Sequence, residues 1–194
     1  MTARRIELAL WWRYGLGQAY RISLRERPEK TGGAGVRFTY GETPRATAGR
    51  LLDRAALSTA DRFLELGAGI GRVSLLAASR GASAEGIEQV PTFVRNASRI
   101  AERLSLPARF RCADLFTADW SSATVLYITP TAFSAADLAR LEACYATIQP
   151  GARLISLTEP PKHPGFELLS MDVLDFSWGP ATVFVHQKSG PERS

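Results

Sequence analysis

From Asp61 onward the chain alternates between short apolar runs and segments whose apolar positions recur every three to four residues. The first kind marks buried strands and the second amphipathic helices. The pattern predicts strands at about residues 62–66, 84–88, 108–113, 123–129 and 152–157. Between them it predicts a helix from near Gly71 to near Arg80, with Gly81 as its cap. A second helix is opened by Pro91 and stopped by Pro107, and a third is capped by Ser134 and ended by Pro150-Gly151. The second carries Phe93, Val94, Ala97, Ile100, Ala101 and Leu104 at helical spacing; the third carries Leu138, Leu141, Tyr145 and Ile148. Such alternation implies a parallel sheet covered by helices. The end of the chain breaks the pattern. Residues 166–176 and 181–187 are both strand-like, and Ser177-Trp178-Gly179-Pro180 leaves no room for a crossover helix. A short connection implies an antiparallel pair.

Before Asp61 the pattern is looser. Residues 1–30 read as one or two helices with apolar positions at Ile6, Leu10, Tyr14, Tyr20 and Leu24, broken at Gly15 and Gly17. Thr31-Gly32-Gly33-Ala34-Gly35 reads as a flexible linker. Pro44 then sits in the first turn of a helix with Thr43 as its cap, and Leu51, Leu52 and Ala55 give that helix an apolar face. The expected organisation is a helical extension over 1–35, one α/β domain over 36–188 and a tail over 189–194. The length of 194 residues suits one such core.

Composition adds little, at 45% hydrophobic and 22% charged. Charge placement adds more. Of the net +5, residues 1–54 carry 11 Arg/Lys against 5 Asp/Glu, so the remainder is slightly acidic. Nearly all the bases are arginine, as a GC-rich bacterial coding bias would produce. An Arg-rich solvated surface is the simpler reading, and a face for nucleic acid, an acidic protein or anionic lipid is the sharper one. The run after Arg4-Arg5 is broken by Arg13, far short of the ~20 apolar residues of a membrane span. Glu7 argues against a secretory signal. A cytoplasmic protein with no transmembrane segment is therefore expected. Its first helix is expected to pack on the main domain rather than lie in a membrane interface through Trp11 and Trp12. Cys112, in a strand, and Cys144, on a helix, are expected as buried thiols. His163 and His186 stand alone, and no Cys, His and acid cluster has metal-ligand spacing, so no metal is expected.

The chemistry concentrates at Phe63-Leu64-Glu65-Leu66-Gly67-Ala68-Gly69-Ile70-Gly71-Arg72, where an apolar strand ends in an acid and three glycines lead into a helix. Such a turn brings backbone close to a ligand, and the helix start offers unpaired N–H groups. The spacing is G-x-G-x-G, whereas a dinucleotide loop places its third glycine one residue later. Two further strands also end in acids, in Gly86-Ile87-Glu88 and Ala113-Asp114-Leu115-Phe116. In doubly wound sheets ligands bind at these carboxyl ends.

The loop, the three acids and the closing hairpin resemble class I S-adenosylmethionine (SAM) methyltransferases over about residues 36–188. That resemblance implies a Rossmann-like seven-stranded sheet, mostly parallel with a reversed last strand, preceded by an N-terminal helical segment. It also implies SAM as cofactor and S-adenosylhomocysteine as product. By the same resemblance Glu65 serves the cofactor's amino-acid end, Glu88 the ribose hydroxyls and Asp114 the adenine amino group, with Leu115 or Phe116 along the ring. Tyr40-Gly41-Glu42-Thr43-Pro44 is similar to the loop that covers SAM in the non-SET, disruptor-of-telomeric-silencing-like lysine methyltransferases. Small bacterial methyltransferases of unassigned substrate share it. The cofactor-binding residues implied are Tyr40, Glu42, Thr43, Glu65, Gly67, Ala68, Gly69, Gly71, Glu88, Gln89, Asp114, Leu115 and Thr129.

The acceptor side departs from that family. Thr129-Pro130 stand where the histone enzymes carry Asn-Asn, and they are also not the Asn/Asp-Pro-Pro-Tyr/Phe motif of amide and base methylation. No catalytic residue is assigned. Tyr40, Glu42, Thr129, Phe133 and Trp178 are the candidates beside the acceptor, with Tyr40 and Phe133 as walls of a channel. The function expected is methyl transfer to an acceptor, a protein lysine or amine being favoured. A small molecule or lipid is the alternative, and a SAM-binding regulatory module without turnover is the alternative of another class. Nucleic acid is a less favoured partner.

Overall fold

The computed structural model describes residues 2–15, 17–26, 40–131 and 133–190. The linker at 31–35, the start of the main domain at 36 and the last four tail residues lie outside them. Two helices, α1 (Thr2–Tyr14) and α2 (Gln18–Glu26), flank the Gly15–Gly17 break. They are followed by α3 (Arg45–Arg54), β1 (Arg62–Leu66), α4 (Arg72–Ser79), β2 (Ser83–Glu88), α5 (Pro91–Arg103) and β3 (Ala108–Cys112). A 3-10 turn at Leu115–Thr117 leads to β4 (Val125–Ile128), α6 (Ala135–Ala146), β5 (Arg153–Leu157), β6 (Phe166–Phe176) and β7 (Gly179–Lys188).

The seven strands form one sheet in the order β3-β2-β1-β4-β5-β7-β6. Neighbours from β3 to β5 are parallel, and β7 runs antiparallel to both β5 and β6. β7 is therefore the reversed strand, inserted between β5 and β6. The order reverses direction between β1 and β4, which is where a doubly wound sheet opens a ligand crevice.

Alternation along β1 sets up the two layers. Phe63 faces a core built with α1, α3, α4 and α5, while Leu64 and Leu66 face a second core with Trp120, Leu141 and Tyr145. The caps follow the sequence signals. Pro91 is the first residue of α5 after the cap at Val90, and Ser134 Oγ accepts from the Asp137 N–H at the start of α6.

Three expectations are corrected. Pro44, not Thr43, is the N-cap of α3, and its side chain makes no capping bond; the Thr43 hydroxyl bonds Tyr127 instead. Cys112 is exposed and Cys144 half-exposed, because β3 is an edge strand with one buried residue, Phe110, and α6 covers the sheet with a narrow face. In the N-terminal helices Ile6, Leu10 and Tyr14 are buried as anticipated, whereas Tyr20 and Leu24 face solvent. α1 does pack on the main core, yet Trp11 and Trp12 point away from it, 65% and 75% exposed. Among the described residues no helix is long and apolar enough to cross a membrane.

Candidate active site

A cavity of about 920 Å³ opens at the carboxyl ends of β1 to β4. It is lined by Glu65 of β1, Gly67, Ala68 and Gly69 of the turn, Glu88 at the end of β2 and Gln89 beyond it, Asp114 and Leu115 after β3, and Thr129 after β4. Tyr40, Glu42 and Thr43 close one side, and Phe133 and Trp178 also face it. Every residue expected at the site therefore lines one cavity except Gly71. Gly71 sits at φ +80° as the cap of α4, and a Cβ there would meet Ala97 and the Phe110 ring at 2.8 Å. Its place in the motif comes from backbone conformation and helix-against-strand packing.

The turn is held by backbone and carboxylate together. The N–H groups of Gly67 and Ala68 both donate to the carbonyl of Ile87. The Gly69 N–H donates to Glu88 Oε2 at 2.7 Å, and the Gln89 and Val90 N–H groups donate to Glu88 Oε1 at 2.7 and 2.9 Å. Glu88 thus fixes two turns and presents its remaining lone pairs to the cavity. Glu65 is buried under the turn, where the backbone N–H and hydroxyl of Ser74 donate to its Oε2 at 2.8 and 2.6 Å. Burial pushes its carboxyl up to about 8, aided by the Glu88 charge and opposed by the Ser74 bonds. Asp114 accepts from the Phe116 N–H at 3.0 Å and so caps the 3-10 turn. Arg140 stands 3.9 Å from Asp114 and lies 3.9 Å over the Phe116 ring. Phe133 packs on Phe116 at 5.9 Å, on the Asp114 side of the cavity.

The opposite wall is the loop of residues 40–44, and long-range contacts pin it. The Glu42 N–H donates to Ser177 Oγ at 2.7 Å, and the Ser177 N–H donates back to the Glu42 carbonyl at 3.1 Å. A Cβ on Gly41 would lie 2.2 Å from the Trp178 ring, so only glycine lets the loop slide beneath that indole. Trp178 is itself stacked on Phe176 at 4.8 Å. Thr43 Oγ1 is 2.8 Å from the Tyr127 hydroxyl, to which Thr129 Oγ1 also donates at 3.2 Å. Tyr40 rests over Gly69 and against Phe93, and its burial raises its hydroxyl well above the ordinary range.

Arg72 joins these parts, and the sequence pattern did not single it out. Its Nη1 donates to Glu42 Oε2 at 2.7 Å and to the Thr43 carbonyl at 3.1 Å, while Nε donates to Glu7 of α1 at 3.2 Å. One half-buried guanidinium thus ties α4, the loop and the N-terminal helix together. Tyr127 was likewise missed; it looks like one more apolar residue of a buried strand. In hindsight, an arginine directly after the glycine turn, with unmatched acids at Glu7 and Glu42, is the available signal.

The lining suits a cationic, nucleoside-bearing ligand. Glu42, Glu88, Asp114 and Asp137 outnumber Arg72 and Arg140, and both arginines are already ion-paired. Gly67 offers open space to a ligand, since nothing lies within 4 Å of where its Cβ would be. The family model described as the histone methylation protein DOT1 matches residues 22–120, half of the chain. The chain belongs to the DOT1 family. An RNA methyltransferase from Salinibacter ruber, solved with S-adenosylhomocysteine, is 28% identical, with a TM-score of 0.63 over 78% of this chain and 97% of that one. TrmN from Thermus thermophilus shares the fold at 23% identity and a TM-score of 0.62, over 74% of this chain and 48% of its own. The B. subtilis M1A22 tRNA methyltransferase TrmK does so at 20% and 0.58, over 73% and 65%. No curated protein sequence matches the chain. The DOT1-family chain is a SAM-dependent methyltransferase of the class I fold, and SAM is its cofactor.

Proposed function

We propose that this methyltransferase acts on a protein side-chain amine. The observation that carries the reading is the make-up of the cavity lining: the aromatic rings of Tyr40 and Trp178, hydroxyls from Thr129 and Thr131, and, among the described lining residues, only two cations, Arg72 and Arg140, both ion-paired. Aromatic faces attract an ammonium, and burial among them lowers its pKa, so the amine arrives as a cation and reacts as a neutral nucleophile. A polyanionic acceptor would find Arg72 already neutralised by Glu7 and Glu42.

Bound SAM supplies an electrophilic methyl group on a cationic sulfur. The residues of this chain hold, orient and desolvate. In this reading Glu88 takes the ribose hydroxyls, Asp114 and Leu115 the adenine, and the Gly67–Gly69 turn with Glu65 the amino-acid end. Tyr40, Glu42 and Thr43 exclude water, and the Tyr127–Thr129 hydroxyls border the reacting centre. No dedicated base is assigned: the ammonium, its pKa lowered by burial, gives one proton to solvent before transfer, and the methylated amine leaves as a cation. A cytoplasmic setting belongs to the same reading.

RNA is the second reading, supported by the 28% identity to an RNA methyltransferase spanned over 97% of its length. Incubating the purified chain with a lysate and methyl-labelled SAM separates the two. Label in protein, recovered as methyl-lysine after hydrolysis, is expected. Label lost on ribonuclease treatment establishes the RNA reading, label confined to small molecules or lipid establishes that class, and none in any fraction leaves a binding module.

A further inference from the structure

α1 is apolar on two opposite faces. Ile6, Leu10 and Tyr14 point into the core, and Glu7, its one acid, turns inward to Arg72. The outward face presents Leu8, Trp11 and Trp12, at 57%, 65% and 75% exposure, and by helical spacing also carries the exposed Arg4 and Arg5. The two indoles meet edge to face at 5.5 Å, so they stand as an ordered pair. α2 also exposes Tyr20 and Leu24, at 46% and 61%. Its one acid, Glu26, is engaged by the backbone and hydroxyl of Thr92 and by Arg25. Where the end of α1 meets α2 and α5, a cavity of about 460 Å³ is lined by Arg13, Arg21, Arg25, Gln18, Thr92 and Asn96. The exposed charged side chains of both helices are therefore all arginine.

We propose that this face docks on an anionic phospholipid surface, with Leu8, Trp11 and Trp12 entering the interface and Arg4 and Arg5 beside them meeting lipid phosphates. Charge complementarity decides the occupant. Large apolar side chains projecting from a helix face whose described exposed charges are Arg4 and Arg5 match the apolar-over-anionic layering of a bilayer interface. Indoles suit that depth, and arginine pairs with phosphate through two parallel hydrogen bonds. Ser23 of α2 lines the active-site cavity, so docking would hold that cavity beside the lipid surface. The inference is independent of which acceptor is methylated.

The test uses the full chain and vesicles of phosphatidylcholine with or without about 30% phosphatidylglycerol. Co-sedimentation with the anionic vesicles, a blue shift of tryptophan emission and release at about 0.5 M salt are expected. The double variant Trp11→Ala/Trp12→Ala is expected to weaken vesicle binding at least about tenfold. Arg4→Gln/Arg5→Gln is expected to abolish the preference for anionic over neutral vesicles. Both variants should keep the wild-type thermal shift with SAM, which separates lost docking from lost folding or lost cofactor binding. Failure to sediment at low salt overturns the proposal, as do equal binding to neutral vesicles and unimpaired binding by the tryptophan variant. Tight binding to an RNA duplex without vesicle binding assigns the face to nucleic acid, and tryptophan-dependent self-association without vesicle binding assigns it to a second copy of the chain; either result overturns it too.

Discussion

The two walls of the cavity are built by different means. The wall at β1, β2 and β3 is made of turns and strand ends, and most of its fixing bonds are local: Glu88 holds Gln89 and Val90, Asp114 holds Phe116, and Glu65 holds Ser74 nine residues away. The wall at β4 is made by side chains from distant segments. Arg72 reaches Glu42 and Glu7, 30 and 65 residues away; Thr43 reaches Tyr127 across 84, and Glu42 reaches Ser177 across 135. Local turns can keep a fixed geometry around a fixed cofactor. A wall assembled from distant segments can change its side chains while the fold stays, and it is the wall that departs from the family's Asn-Asn.

The largest effect should come from the local wall. Glu88→Ala removes the carboxylate assigned to the ribose and leaves the Gly69, Gln89 and Val90 N–H groups without their acceptor. Charged hydrogen bonds contribute about 1.5–3 kcal/mol each, so SAM affinity should fall at least about 30-fold by calorimetry. A fall under about threefold would move the ribose elsewhere and break the proposed division between the walls.

Arg72→Ala comes next and strikes the assembled wall. It leaves Glu7 and Glu42 facing each other's charge without the cation between them. The loop of residues 40–44 should loosen, so amide exchange across it rises and the KM for SAM increases about tenfold. Arg72→Lys keeps the charge but not the fork that serves two acids at once, and should recover part of the loss. Unchanged exchange in the loop would show that Ser177 and Trp178 suffice to hold it.

These two walls differ as much in what the sequence revealed. Glu65, Glu88 and Asp114 sit where a strand pattern passes into a turn, so periodicity alone marks them and G-x-G-x-G fixes the first turn. The reversed final strand was legible from the four-residue connection at 177–180. Arg72, Tyr127 and Ser177 were not, because each acts through a partner that only the fold brings near. Exposure of Cys112 was hidden for a related reason. Strand alternation puts Cys112 on the face of the buried Phe110, and its exposure follows from the place of β3 at the sheet edge, which depends on strand order. Trp11 and Trp12 were assigned to packing because an apolar helix ordinarily has one buried face, and α1 has apolar residues on both.

A pH-dependent effect of intermediate size belongs to Glu65. Its carboxyl is raised from the ordinary 4.5 to about 8, chiefly by burial. A raised acid contributes stability that is full below the unfolded value and is lost as pH climbs through the folded one, so the window is about pH 4.5–8. Glu65→Gln keeps an acceptor for Ser74 and removes the titration. Thermal melts of the cofactor-free chain should coincide with wild type near pH 4.5, the lower edge of that window, and favour the variant by at least about 3 °C at about pH 9. Parallel melting curves at all pH values would mean that the buried carboxyl titrates normally.

The smallest effect tests whether the assembled wall can be altered without disturbing the cofactor wall. Thr43→Val keeps the shape of the side chain and deletes the hydroxyl 2.8 Å from Tyr127. The buried Tyr127 hydroxyl keeps the bond donated by Thr129 and loses its other partner. One neutral hydrogen bond is worth about 1 kcal/mol, which for a chain of this size lowers Tm by about 3 °C. SAM affinity should change less than about twofold, because Arg72 still holds the loop through Glu42 and through the carbonyl of residue 43, which the substitution leaves in place. A drop approaching that of Glu88→Ala would show that the Thr43 hydroxyl touches the cofactor. The boundary between the walls would then run between Thr43 and Thr129 instead of between the glycine turn and the loop.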